Sequence, residues 1–409
     1  MASVNQATIK TSDESQRVMP ICLLSIVRLL AKRTKLAEPV VYPYNQAFES
    51  KAIVSNRCST TVQGGSVRTY PRDQQMPDEG QLIQRIVRAI PSFSGRKGSK
   101  SGAVLGIADD AAVVRPKCSR DWVVTVDAFI EDVHFWVDKH PPESVGYKAL
   151  ARATSDLAAM GALPRFFLLT LALPKSRTGA WLDRMLKGMA RAARLLELRL
   201  VGGDTTQSRA VSMSLTVVGE STGRTVTRAG AKPGDLIYVS GPLGGAQLGL
   251  EIVRRGWARE RRWRGLLARH FHPTIRIELG AWLAKHAVAS AMMDISDGLS
   301  SDLSRLCMAS GVGARIYAER IPRNPIPVDL AKRLRRLSGD TLDMALHGGD
   351  DYELLFTVPN NRLRNLKTAR GYSDLRAIGE IRRASGISLV SAGGKTQQVR
   401  PLGWDSFRP

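Results

Sequence analysis

Apolar and polar positions alternate in short runs through most of this chain, and between those runs the spacing widens to the three-to-four-residue rhythm of helices. Leu82, Ile83, Ile86, Val87 and Ile90 mark one face of a helix in the stretch opened by Met76. Strand-like runs follow at 104–107, 111–114 and 122–126, with a loop-forming SGRKGSKSG (94–102) before them. A helix is expected over 143–160, a strand over 166–173 and a second helix near 179–196. Strands at 198–201 and 211–218 complete this half. The pattern breaks at GAKPGD (230–235), a boundary rich in Gly and Pro. It then restarts with a strand at 236–240, the turn GPLGG and a helix from Ala246. Further strands are expected at 291–295, 313–317, 352–358 and 375–381, with helices between them. No regular βαβ repeat emerges, so the class is α+β with two domains.

Residues 1–75 lack a sustained period of either kind. They read as an appendage, disordered or lying upstream of the true start; a regulatory or targeting extension is the alternative. The expected division is 1–75, then domains at 76–229 and 230–409.

Composition adds constraints. In the 409 residues, 43% are hydrophobic and 24% charged, which suits a folded chain. No apolar run reaches the ~20 residues of a membrane span, and Asp13 and Glu14 stand where a secretory signal would be basic. The four cysteines are dispersed, with no CxxC, which excludes a disulfide scaffold and suits a reducing cytoplasm. The net charge of +23 admits a nucleic-acid binder, and RRGWARERRWR (254–264) interleaves Arg with Trp. No nucleic-acid-binding motif accompanies it, so a solvated Arg-rich helical face is favoured.

The acids carry more information. Asp109 and Asp110, Asp127, Asp156, Asp204, Asp294 with Asp297, and GGDDYE (348–353) mostly end apolar runs beside Gly, Ser or Thr. Any one of them could be a helix cap or turn residue. Together they suggest hard-oxygen ligands for magnesium against a polyphosphate. There is no P-loop, kinase HRD/DFG pair or G-x-S-x-G elbow, and His270-Phe-His272 lacks a third zinc ligand nearby. The residues alone therefore lead to a metal-dependent enzyme acting on phosphorylated substrates.

The ordered series DDAAV, DAFIEDVHF, KALARATSDLAAMGA, VGGDTT, RAGAKPGD, VSGPLG, MMDISDGLSSDL and GGDDYELLFTVP resembles the thiamine-monophosphate kinase family, within the aminoimidazole-ribonucleotide synthetase-like superfamily. The resemblance runs from about Gly80 to Trp404. It implies a two-domain fold whose N-terminal strands form a dimeric barrel, hence a homodimer. It also implies ATP- and magnesium-dependent phosphorylation of thiamine monophosphate, with more than one ion. By motif, the metal positions would be Asp110, Thr125, Asp127, Asp156, Asp204, Asp294 and Asp297. ATP would meet Gly203, Asp204, Arg228 and Ser296, and the thiamine phosphate would meet His134, Asp350 and Trp404.

Four positions depart from the family pattern: Ala108, Val126, Asp132 and Asp350 replace the usual Gly, Thr, Gly and Glu. The acceptor is a phosphate monoester, second pKa ~6, so direct in-line transfer needs no general base. The alternatives are another ATP-using member of the superfamily and, more weakly, a basic nucleic-acid-binding relative. The selenium-handling and hydrogenase-maturation branches use a reactive Cys. This chain has none in SGRKGSKSG and ends SFRP.

Overall fold

The computed structural model describes residues 103–105, 112–114, 120–334, 341–366 and 373–407. The expected helix near Met76, the 94–102 loop, Ala108, Asp109 and Asp110 lie outside the described residues.

The first half is a six-stranded sheet with two helices. Its strands are β1 (Ala103–Leu105), β2 (Ala112–Val114), β3 (Trp122–Ile130), β4 (Ala162–Leu173), β5 (Arg199–Gln207) and β6 (Ser212–Ser221), in the spatial order β1-β2-β3-β6-β4-β5. Only β4 and β5 run parallel. α1 (Pro142–Ala159) and α2 (Ala180–Leu195) cover one face. Strand alternation sends Val123, Thr125, Asp127 and Phe129 of β3 to that covered face, while Val126 on the other is 64% exposed.

The second half is a seven-stranded sheet. It comprises β7 (Leu236–Val239), β8 (Ala291–Ile295), β9 (Gly313–Tyr317), β10 (Glu353–Val358), β11 (Arg376–Arg382), β12 (Ile387–Val390) and β13 (Thr396–Gln398), ordered β13-β12-β9-β11-β7-β10-β8. Its helices are α3 (Gly245–Arg254), α4 (Arg264–Phe271), α5 (Ile277–Lys285), α6 (Leu299–Ser310), α7 (Val328–Arg333), α8 (Thr341–His347) and α9 (Leu363–Leu366). Every residue of β8 and β10 is buried, including Asp294, Glu353 and Thr357 among their apolar neighbours.

The two halves share a core. Ala158 and Ala159, at the end of α1, pack with Leu279 and Leu283 of α5 and with Met292, Leu354 and Phe356 of the second sheet. The small side chains of SDLAAMGA thus serve helix packing as well as chemistry.

Three expectations need adjustment. β5 does not stop at Val201; it continues through GGDTT to Gln207, so Asp204 lies within a strand, opposite Thr170, instead of at a strand tip. Gly203 permits this, since a Cβ there would sit 1.9 Å from the Leu169 carbonyl oxygen. β12 and β13 were not expected: they are short, and β13 is wholly exposed. The Arg-rich 254–264 stretch is not one helical face but the end of α3 and two 3₁₀ turns, Trp257–Arg259 and Arg261–Trp263. Trp263 is a core residue, and Arg262 lies over its ring while pairing with Glu260 and Asp329. No stacking platform for bases is formed there.

Candidate active site

Helix α1 organises the site. Lys148, Arg152 and Asp156 recur every four residues, so they form one stripe along the helix. Asp156 accepts a hydrogen bond from Thr125 Oγ1 at 2.5 Å. One turn earlier, Arg152 grips Asp127 through two bonds, Nε to Oδ2 at 2.6 Å and Nη2 to Oδ1 at 3.1 Å. One turn earlier again, the buried Lys148 reaches across to the second half and meets Asp350 at 2.7 Å. The stripe therefore ties β3 to the GGDDYE loop.

That loop distributes its acids to three destinations. Asp350 accepts from Lys148 and from the Tyr352 hydroxyl, the latter at 2.7 Å. Burial pushes the Asp350 carboxyl up, but Lys148, His270 and Arg152 more than offset this and hold it well below the usual carboxylate range. Asp351 accepts from the backbone N–H groups of Gly244 and Ala246 and so caps α3; burial raises its pKa to about 7. Glu353 forms a bidentate pair with Arg276, both bonds at 2.7 Å. Asp350 and Tyr352 have φ of 69° and 51°, and Asp132 has φ of 64°. Asp accepts the left-handed region more readily than longer or branched side chains, which accounts for Asp at 132 and 350.

Behind Lys148 runs a buried chain of donors. Its ammonium lies 3.2 Å from His270 Nδ1, His270 Nε2 lies 3.1 Å from His140 Nε2, and His140 Nδ1 lies 3.2 Å from the Trp136 carbonyl. Burial, then the charge of Lys148, lowers both imidazole pKa values, His140 to about 4. The Trp136 N–H also reaches His140 Nδ1, at 3.1 Å, so this nitrogen faces both main-chain groups of Trp136.

The DISDG loop is held by a residue outside the expected set. Asp302 Oδ2 accepts from the backbone N–H groups of Ser296, Asp297 and Gly298 at 3.0–3.1 Å, and Arg305 bonds both Asp302 and Asp297. Burial raises the Asp297 carboxyl, and burial together with Asp297's charge pushes Asp302 well up. Asp294, the first residue of DISDG, is buried near the end of β8. Trp404 donates its N–H to the Asp297 carbonyl at 2.8 Å, seating the C-terminal strap on the loop. Gly403 permits the approach, because a Cβ would stand 2.1 Å from that same carbonyl oxygen. The Trp404 side chain remains about half exposed.

His134 sits beside β3. Its Nδ1 accepts the Ile130 N–H at 3.0 Å, which places the ring proton on Nε2. Burial, then Arg152, lowers its pKa to about 4.

Of the expected residues, the structure joins Thr125 with Asp156. It places Asp127, His134 and Asp350 around Arg152, and Ser296, Asp297 and Trp404 at the DISDG loop. Arg152's charge acts on His134, Asp350 and Asp297 alike, which marks these as one neighbourhood. Gly203 and Asp204 lie on β5, and Arg228 offers its carbonyl to Ser310. Asp110 is outside the described residues. Lys148, Arg152, Tyr352, Asp302 and Arg305 were missed, although the four-residue spacing within KALARATSD carried a signal for the first two.

Comparison with known proteins fits this geometry. Residues 108–221 match the AIR synthase related protein N-terminal domain and residues 232–391 its C-terminal domain. The chain is 35% identical to thiamine-monophosphate kinase of Aquifex aeolicus, covering 74% of this chain and 92% of that one. It is 33% identical to the Bacillus subtilis enzyme of that name, covering 78% and 98%. This chain belongs to the thiamine-monophosphate kinase family. A solved family structure, AaThiL complexed with AMPPCP and TMP, superposes with a TM-score of 0.68 at 33% identity, covering 80% of this chain and 96% of that one. The family enzyme from Stenotrophomonas maltophilia superposes at 0.60, with 35% identity over 75% and 95% of the two chains.

Proposed function

We propose that this chain transfers the γ-phosphoryl group of ATP to the phosphate of thiamine monophosphate, giving thiamine diphosphate. The observation that supports this most is the α1 stripe. One helix brings two cations and an aspartate between Thr125 and Asp127 of β3 and the GGDDYE loop, within a chain matching thiamine-monophosphate kinases over nearly their whole length. The repulsion between two polyanions is the main obstacle to this reaction, and Arg152 and Lys148 lower it while orienting Asp127 and Asp350.

Magnesium fits the donor set. Among the described residues no three of His, Cys, Asp or Glu converge into a preformed cage. The available donors are instead hard oxygens from separate elements, a pattern suited to an ion completed by substrate phosphates and water. Asp110, Thr125, Asp127, Asp156, Asp204, Asp294 and Asp297 would hold such ions, which would supply charge neutralisation. Gly203, Asp204, Arg228 and Ser296 would meet ATP, and His134, Asp350 and Trp404 the thiamine phosphate.

The working molecule in this reading is a homodimer with domains at 76–229 and 230–409. Val126, Leu168 and Leu200 are exposed on the first sheet, and β5 ends its strand order, so a second copy could close a barrel there. Among the described residues no helix is long and apolar enough to cross a membrane. A cytoplasmic location suits the phosphorylated substrates.

The test is direct. Purified protein with ATP, magnesium and thiamine monophosphate should yield thiamine diphosphate and ADP in equal amounts. ADP release without thiamine diphosphate would point instead to another ATP-using enzyme of the superfamily.

His134 separates positioning from base catalysis. With Nδ1 occupied and Nε2 protonated, the neutral ring can donate to substrate but has no lone pair for the acceptor's proton. His134→Gln should therefore raise KM for thiamine monophosphate about tenfold and change kcat by less than about fivefold. A kcat loss of ~10²–10⁴ at saturation would instead identify a general base.

A further inference from the structure

On the far edge of the second sheet from β8 and β10 lies a cavity of about 510 Å³ that no step above uses. It is lined by Arg315 of β9, Arg382 at the end of β11, Arg383 and Ser385 in the following turn, Ser388 of β12 and Gln398 of β13. The volume falls in the range of small-molecule sites. Its charge is one-sided. Glu380 is the carboxylate beside the arginines, 3.1 Å from Arg382 and a loose 3.9 Å from Arg315. Arg383 is exposed and makes no ion pair among the described residues. Three guanidinium groups thus face one carboxylate, an excess of two positive charges.

A second observation points the same way. Arg315 Nε is buried and has no hydrogen-bond acceptor. A buried donor left unpaired is unfavourable, and an acceptor oxygen entering the cavity that Arg315 lines would supply the missing partner. Register explains how the donors converge. Arg315 lies directly between Glu380 on β11 and Ser388 on β12, so a single ligand can meet the guanidinium, the serine hydroxyl and the turn at 382–385 together.

We propose that this cavity is a second anion site, built for a phosphate-bearing small molecule and separate from the α1 centre. Guanidinium forks match phosphate oxygens in pairs, and a doubly charged anion balances the excess charge. The volume exceeds what a lone phosphate fills, which favours a diphosphate or a phosphate ester.

Equilibrium dialysis of labelled pyrophosphate against the full chain tests this, with ADP in a parallel arm to distinguish a nucleotide from a bare diphosphate. The unsubstituted chain should bind one more anion per chain than Arg315→Gln/Arg383→Gln. Arg383→Gln alone, at an exposed turn where folding is not at stake, should weaken that extra site about tenfold. Steady-state activity at low anion concentration should be the same in all three proteins. Equal stoichiometry in the unsubstituted and doubly substituted chains, or an Arg383→Gln affinity indistinguishable from the unsubstituted one, would overturn the proposal.

Discussion

Lys148→Met should lower stability by about 3 kcal/mol and leave almost no activity. Lys148 is 2% exposed and donates to Asp350 and His270. Burial pushes its ammonium below the usual lysine range even with Asp350 against it, so the charge is retained at a cost. Breaking a buried pair by removing one partner typically costs about 3–5 kcal/mol, because the other charge is stranded. The lower end applies here, since the Asp350 side chain is about one-third exposed. The stranded group should be identifiable. Adding Asp350→Asn to Lys148→Met removes the orphaned charge and should recover at least about 1 kcal/mol in urea unfolding. Activity should not return, because both halves of the cross-domain tie are gone. A single variant that unfolds within about 0.5 kcal/mol of the unsubstituted chain would mean that the pair does not join the halves.

Periodicity was enough for most of the scaffold. β8 and β9 fall on the expected residues, and α1 and α2 within a residue or so of them, because short, mostly apolar runs bounded by polar turns and helical stripes leave little choice of period. The strand through GGDTT was not legible, since glycines and an acid break the apolar pattern that defines a strand. It forms because β4 offers a parallel edge, and Gly203 lets the backbone come close. β12 and β13 are too short to establish a period.

The site divided along similar lines. Aspartates stand out in a basic chain, so Asp127, Asp156, Asp297 and Asp350 could be named from the sequence. Their partners could not, because Arg and Lys are common here and each cation meets its acid only through the fold. Lys148 and Asp350 are 202 residues apart. GGDDYE shows the opposite failure: three acids adjacent in sequence diverge to a cross-domain pair, a helix cap and an arginine clamp. Adjacency in sequence does not make a metal cluster. The structure also separates two roles around DISDG: the Asp297 carboxylate, paired with Arg305, and Asp302 in the following helix, which holds the loop backbone.

Those roles predict opposite outcomes at two residues only five positions apart. Asp297 is tied to the loop by its main chain: its N–H goes to Asp302 and its carbonyl accepts from Trp404. Its carboxylate meets Arg305 alone among the contacts described above, and an amide oxygen can still accept that bond. Asp297→Asn should therefore keep its unfolding midpoint close to that of the unsubstituted chain. Loss of the charge should nevertheless cut kcat at least ~100-fold and raise the magnesium needed for half-maximal rate, if Asp297 holds an ion against the polyphosphate. Asp302→Ala should behave the other way. It strands three backbone N–H groups and half of Arg305's partners, so stability should fall by about 2–3 kcal/mol and activity should follow the loss of loop order. Asp302→Asn keeps one acceptor oxygen and should rescue part of that stability. Measuring rate against magnesium for each variant, beside urea unfolding, separates the two roles. An Asp297→Asn protein with unchanged rate at limiting magnesium would remove Asp297 from the metal set. An Asp302→Ala protein as stable as the unsubstituted chain would show that the three convergent N–H bonds do not order the loop.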